Sequence, residues 1–450
     1  MHALADGEKP RNPVALVLLA SLIGTTIEFF DFYIYANAAV LVFPQLFFPS
    51  SDPTAGTLES LATFSIAFFA RPIGSALFGH FGDRVGRKAT LVAALLTMGV
   101  STVAIGLLPT YAAIGTVAPL LLALCRLGQG LGLGGEWGGA VLLATENAPP
   151  SKRAWFGMFP QLGSPIGFIL ASGFFLVLSQ WLTDEQFFSF GWRLPFLAST
   201  VLILFGLYVR LRLTETPAFE EVLKNNRRVK IPTATVATQH TRALFLGVFI
   251  AMTTFTLFYI MTVFTQSWAT SSLGYTRPAF LRMQMFSTLV YGATIPLSGI
   301  LADRFGRRRT LIWVTVTIAL FGFLLSPLFG SGSPLLVVFF LCMGLALMGL
   351  TYGPLGTLLS ELFPAEVRFT GASLTFNLAG ILGASLAPYI ALSLAKNYGL
   401  AHVGLYLTVA ALVTLAALIA TRESHRDADS PCQDSPGAAP KIVSPLTDED

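Results

Sequence analysis

Gly79-His80-Phe81-Gly82-Asp83-Arg84-Val85-Gly86-Arg87-Lys88 returns as Gly299-Ile300-Leu301-Ala302-Asp303-Arg304-Phe305-Gly306-Arg307-Arg308. The shared pattern is Gly-x-x-x-Asp-Arg-x-Gly-Arg-basic. The copies start 220 residues apart, each between long apolar runs. A repeat of that period in a hydrophobic chain implies a doubled membrane protein whose halves carry the same loop. A second echo, Glu146-x-x-Pro149-x-x-x-Arg153-x-x-x-Gly157 against Glu361-x-x-Pro364-x-x-x-Arg368-x-x-Gly371, recurs at a spacing of 215 residues. Two independent motifs at nearly one spacing argue for duplication rather than chance.

Composition agrees. Of 450 residues, 54% are hydrophobic and 12% charged, with mean hydropathy +0.69. A soluble domain carries roughly 25% charged residues, so the chain belongs in a lipid bilayer. The net charge of +4 reflects basic loops and does not point to nucleic acid. Cys125 and Cys342 fall in apolar runs and Cys432 in a polar tail, so neither a disulfide framework nor a zinc site is expected. The first apolar run lacks a small-residue cleavage site and reads as a retained span.

A spanning helix needs roughly 20 apolar residues. Such stretches lie near 14–42, 59–81, 89–108, 113–142, 155–180 and 193–211, then near 243–268, 281–302, 309–329, 334–360, 370–395 and 403–421. Backbone groups in lipid must be satisfied internally, so runs this long are helices. The expected fold is an all-α membrane protein of twelve transmembrane helices in two pseudo-symmetric six-helix bundles. Residues 1–13 precede the first bundle (14–211), a linker occupies 212–242, the second bundle takes 243–421, and 422–450 are expected to form a disordered tail. A short amphipathic helix is expected over 217–225.

Lys and Arg crowd one set of connections, at Arg84, Arg87, Lys88, Lys152, Arg153, Arg304, Arg307, Arg308, Arg309, Arg368 and the linker, while 44–57 and 108–112 carry none. The excess of positive charge inside places both termini in the cytoplasm.

At this point the residues resemble the major facilitator superfamily of secondary transporters. The repeated Asp-Arg-x-Gly-Arg loop is similar to its best-known signature, and Arg126-x-x-x-Gly130-x-Gly132-x-Gly134 to its fourth-helix motif. Glu28-Phe29-Phe30-Asp31-Phe32-Tyr33, Arg71-Pro72-Ile73-Gly74 and Gly134-Gly135-Glu136-Trp137-Gly138-Gly139 resemble the metabolite:proton symporter family, with 43–87 most like its shikimate-carrier branch. The resemblance covers roughly residues 14–421. It implies a bacterial inner-membrane carrier with a proton as coupling ion, no other cofactor, and a small organic acid or a zwitterion as substrate. A monomer is expected.

The loops carry the first chemistry. An Asp at a helix end can cap the next helix and pair with arginines across the bundle interface. In the family reading, Asp83 with Arg84, Arg87 and Lys88, and Asp303 with Arg304, Arg307 and Arg308, lock one conformation, with Gly86 and Gly306 as turn glycines and Glu146, Arg153, Glu361 and Arg368 as gating partners. The bland alternative is a set of positive-inside anchors.

Charges inside spans are functional candidates because they are costly there. Glu28 and Asp31 share a helix face. Asp31 lies about 17 residues, or roughly 25 Å, into its span. Arg126 runs the opposite way to a matching depth, so the two could face each other. They are then either a structural ion pair or a proton-binding carboxylate with its tuning cation. Glu136 either bonds a closely packed helix through its flanking glycines or assists proton release. Arg71 either lines the cavity or satisfies carbonyls freed by Pro72. Candidate substrate ligands are Arg126, Arg71, Tyr33, Tyr35, Gln129, Gln161, Ser164, Tyr259, Gln266, Tyr291, Tyr352 and Asn377. A Gly-Lys-Ser/Thr phosphate loop is absent, as are paired His or a Cys–His set within a span. The expected activity is therefore proton-coupled symport of a shikimate-like or other carboxylate metabolite by alternating access, with uptake of proline or betaine as the alternative.

Overall fold

The computed structural model describes residues 13–49, 53–216, 219–221 and 229–421. Among the described residues, twelve helices are long and apolar enough to cross a bilayer. In the first half these are α1 (Val14–Leu41), α2 (Pro53–Arg84), α3 (Arg87–Leu107), α4 (Val117–Glu146), α5 (Arg153–Trp181) and α6 (Leu194–Leu211). The second half has α7 (Thr241–Ser271), α8 (Arg277–Phe305), α9 (Arg307–Phe329), α10 (Pro334–Glu361), α11 (Arg368–Tyr398) and α12 (Leu400–Ala420). Side chains such as Phe69, Val201, Phe245 and Leu335 lie exposed on the outer surface, where lipid replaces water as the neighbour.

The turn glycine of each loop motif breaks one helix and starts the next. Gly86 (φ +135°) and Gly306 (φ +91°) hold backbone conformations that a side chain would strain. Other glycines serve packing. A Cβ at Gly134 of α4 would fall on the Arg71 carbonyl oxygen of α2, and one at Gly74 on the Leu131 carbonyl. The glycine-rich stretch of the fourth helix therefore docks against the second.

The halves meet through α2 against α11 and α5 against α8, with α4 and α10 completing the contact. Two features were not anticipated. π-helical turns at Ile260–Phe264 and Ile381–Ser385 interrupt α7 and α11, and a short linker helix runs over Pro232–Gln239. The helix expected over 217–225 falls largely outside the described residues, and the tail beyond 421 lies wholly outside them.

Candidate functional site

On the side of the molecule bearing the linker, each motif aspartate caps a helix of the other half. Asp83 accepts from the backbone N–H groups of Phe369 (3.2 Å) and Thr370 (3.0 Å) and from the Thr370 hydroxyl (2.8 Å) at the start of α11. Asp303 accepts from the N–H groups of Ala154 (2.9 Å) and Trp155 (2.8 Å) at the start of α5. A carboxylate at a helix N-terminus meets orphan N–H donors and the positive end of the dipole. The capped helix is thus the opposite half's, not the next in sequence as expected.

Around Asp83, Arg87 bonds its carboxylate (2.8 Å) and the Ala365 carbonyl of the other half (3.2 Å), and lies 3.6 Å from Glu146. Arg368 approaches the same Glu146 at 3.7 Å. In the second copy, Arg307 pairs with Glu361 at 2.8 Å and approaches Asp303 at 3.9 Å, with Arg153 at 4.0 Å from Glu361. The remaining basic residues stand apart. Arg84 turns to His80, and Arg304 lies over the Phe305 ring. Lys88 and Arg308 donate to the final carbonyls of α6 and α12. Those four were expected in the locks and do not enter the aspartate clusters.

Between the halves lies a cavity. The first half contributes Glu28, Tyr33, Arg71 and Ser164; the second contributes Thr254, Tyr259 and Tyr352; phenylalanines, including Phe32 and Phe376, fill the walls. Tyr33 bonds Ser164 at 3.2 Å. Arg71 sits over Phe32 and Phe68 at 4.8 and 5.0 Å from their centroids. Glu28 and Arg71 are both buried, and Glu28 Oε2 and Arg71 Nε have no hydrogen-bond partner. Proline-freed carbonyls do not occupy the guanidinium; it faces the cavity.

Asp31 and Arg126 do not face each other. Asp31 accepts a short hydrogen bond from Ser199 of α6, with Thr102 of α3 beside it. Arg126 is enclosed by Tyr35, Phe64 and Phe32 at 4.1, 4.7 and 5.1 Å. It donates to Gln129 (3.0 Å), whose amide donates to Thr102 (2.7 Å). Helix rotation sends the two charges to different neighbours, and among the described residues Gln129 and Thr102 stand between them.

Glu136 forms a buried bidentate pair with Arg210 of α6, which also donates to the Leu91 carbonyl at 2.7 Å. Gly24 of α1, one turn before Glu28, leaves the space this pair occupies. Its partner is therefore a side chain, where a backbone bond had been one expectation. Arg210 was not singled out in sequence because it ends a span beside Arg212 and reads as a positive-inside anchor.

Of the expected substrate ligands, Tyr33, Ser164, Arg71, Tyr259 and Tyr352 line the cavity, whereas Arg126, Gln129, Gln161, Gln266, Tyr35, Tyr291 and Asn377 do not. Asn377 instead ties the halves together, donating to Ser75 Oγ (2.8 Å) and lying 3.4 Å from the Gly134 carbonyl.

Two six-helix halves, joined at one end by mirrored aspartate caps and enclosing a charged cavity, have the architecture of a secondary transporter. Similarity to known proteins narrows that class. Residues 16–230 match the family described as "Sugar (and other) transporter", and residues 244–443 match the "Major Facilitator Superfamily". The chain is 63% identical over 421 residues, covering 92% of itself and 96% of the relative, to the inner membrane metabolite transport protein YhjE of Escherichia coli (strain K12). It is 36% identical to that organism's shikimate transporter, covering 91% and 94%. It is also 32% identical to a proline/betaine transporter of Salmonella typhimurium (strain LT2), covering 90% and 83%. A solved proton:xylose symporter, bound to 6-bromo-6-deoxy-D-glucose, matches with TM-score 0.74 at 17% identity over 90% of this chain and 94% of that one, a likeness of fold alone. The chain belongs to the major facilitator superfamily and is a membrane transporter of small-molecule metabolites, not an enzyme.

Proposed function

We propose that this protein is a proton-coupled symporter of a small organic acid, working by alternating access about the Glu28–Arg71 cavity. One observation carries the reading. A buried carboxylate and a buried guanidinium line the same cavity, and neither makes a hydrogen bond or ion pair among the described residues. Charges at such depth are costly unless a ligand or proton meets them. Arg71, held between two rings, presents its N–H groups to a substrate carboxylate. Tyr33, Tyr259 and Tyr352 offer hydroxyls to the rest of the molecule. Glu28 carries the proton, so substrate and proton occupy one electrostatic unit. Asp31 and Arg126, bonded into the interior of the first half, set the position of α1 rather than touching substrate.

The relative named as an inner membrane protein supports an inner-membrane location, and the basic loops support a cytoplasmic linker and termini. The shikimate transporter among the relatives supports a cyclic or hydroxylated carboxylate. A second reading has its own observation. Aromatic walls beside Glu28 suit a quaternary ammonium group, so a betaine would satisfy both charges.

The test is uptake of radiolabelled shikimate, other mono- and dicarboxylates, and glycine betaine into proteoliposomes under an imposed pH gradient. Gradient-driven accumulation of an acid, lost in Arg71→Gln and uncoupled in Glu28→Gln, is expected. Accumulation that survives collapse of the gradient would sink proton symport, and betaine uptake without acid uptake would select the second reading.

A further inference from the structure

The seventh span gives Thr254, Phe255, Phe258 and Tyr259 to the cavity, and these lie at α-helical spacing on one face of α7. At that spacing the face would run on through Thr262 to Gln266. It stops immediately after Tyr259, at the π turn Ile260–Phe264, where the Thr265 N–H reaches back five residues to the Ile260 carbonyl. A turn that holds one extra residue rotates everything beyond it by about 100° from the α-helical series. Gln266, expected as a substrate ligand, accordingly does not line the cavity.

A widened turn inside a bilayer needs partners for its carbonyls. Here they come from the neighbouring span. Gln284 of α8 is buried, and its amide donates to the Thr262 carbonyl at 2.6 Å and to the Met261 carbonyl at 3.2 Å. Gly344 of α10 leaves room for the Met261 side chain, since a Cβ there would fall on its sulfur. The π turn of α11, by contrast, is met by its own Ser385, which donates to the Ile381 carbonyl at 2.6 Å. Two turns along α8 from Gln284, on the same face, Tyr291 meets Phe258 at 6.3 Å and Tyr352 at 6.2 Å. One face of α8 therefore touches both the turn and the rings beside it.

We propose that Gln284 is a positioning residue for the transport site: its amide holds the widened turn of α7 at Ile260–Phe264 and so fixes the direction in which Tyr259 points into the cavity. The proposal rests on reading the cavity as the transport site. Gln284 is not part of the cavity wall. It acts through Tyr259, whose ring also meets Phe68 of the first half at 5.9 Å. Without the two N–H groups the turn loses its hold on α8, and the extra residue can migrate along α7 toward Tyr259. Each residue it passes is turned by about 100°.

The test uses the full-length protein in detergent, with Cys125, Cys342 and Cys432 replaced by serine and one reporter cysteine added. The reporter is Tyr259→Cys or, earlier on the same face, Thr254→Cys, and the rate of labelling by N-ethylmaleimide reads how far each faces the cavity. Gln284→Leu is expected to slow labelling of Tyr259→Cys by about tenfold, a shift within reach of two lost buried hydrogen bonds, and to leave Thr254→Cys within about twofold. Gln284→Asn, which keeps both N–H donors, is expected to retain fast labelling at Tyr259→Cys. Gln284→Glu, the same shape with an oxygen in place of the NH2 group, is expected to behave as Gln284→Leu does and serves if that variant does not insert. A role in folding alone would move both reporters together. Labelling of Tyr259→Cys that is not slowed in either variant, an equal change at the two reporters, or Gln284→Asn as slow as Gln284→Leu would overturn the proposal. Labelling needs no substrate, so a lack of acid uptake, which would count against the symport reading, leaves this result readable.

Discussion

The two loop motifs are near copies in sequence yet differ in what surrounds them. In the first, Asp83 and Arg87 are essentially without solvent, with side-chain exposures of 0% and 1%, and Glu146 is 3% exposed. In the second, Arg307 is 21% exposed and Glu361 27%. Both aspartates cap a helix of the opposite half. Only the first does so within a dry cluster that also draws in Arg368 and Ala365. The same ten-residue signature therefore makes one contact between the halves whose breakage strands a buried charge and one whose partners can fall back on water.

That contrast can be broken by mutation. Asp83→Ala removes four accepted bonds, one of them from Arg87, and leaves the buried Arg87 with only Glu146 and Glu215 as nearby carboxylates, so it should weaken the closed linker side by about 3–5 kcal/mol. Asp303→Ala should cost about 1 kcal/mol, the value of a helix cap. Labelling of a reporter cysteine in the cavity wall (Thr254→Cys, with the native cysteines replaced by serine) by a membrane-impermeant maleimide from the linker side compares the two, and equal effects would erase the distinction.

A second contrast between the halves concerns the first half's own charges. Glu136 and Arg210 have no counterpart pair in the second half among the described residues. Arg210→Met alone should lower the melting temperature sharply. The double variant Glu136→Gln/Arg210→Met should recover most of that loss, because a neutral pair strands no charge. A double variant as unstable as the single would show that the arginine acts through packing.

Salt sharpens the comparison further. Raising ionic strength from about 0.1 to 1 M shortens the screening length from about 10 to 3 Å. It should loosen the partly exposed Arg307–Glu361 pair and leave the Asp83 cluster unaffected, as read by labelling in Asp83→Ala and Asp303→Ala backgrounds. Smallest of all, Arg153→Ala should change stability by no more than about 0.5 kcal/mol, since its contact to Glu361 is long and its side chain 46% exposed.

Much of this was legible in the residues. The repeated loop, the apolar runs and the glycines of the fourth helix give twelve helices and the neighbours that pack closest. Glu28 and Arg71 stood out as charges in spans and do line the cavity. Other readings failed for one reason. Asp31 and Arg126 were expected to face each other from matching depth, but depth does not give rotation about the helix axis, and each turned to other partners. Gln161 and Asn377 looked like ligands because they are polar and mid-span; one buttresses Trp137 and the other bonds the halves together. Arg210 is the reverse case, a buried ion-pair partner hidden among basic residues at a helix end.

By itself, then, the sequence determined that the chain spans a bilayer twelve times, that it is a duplicated transporter, and which helix ends carry the paired loop motifs. Transfer of each side chain into lipid is a local quantity that adds along the chain, and a motif repeated at a fixed period needs no structure to be seen. Only the tertiary structure decided which charges meet, which stay unpaired in the cavity, and that Asp83 reaches across to α11. Those outcomes depend on helix rotation and on contacts between residues as far apart as Asp83 and Thr370, which no local property of the chain encodes.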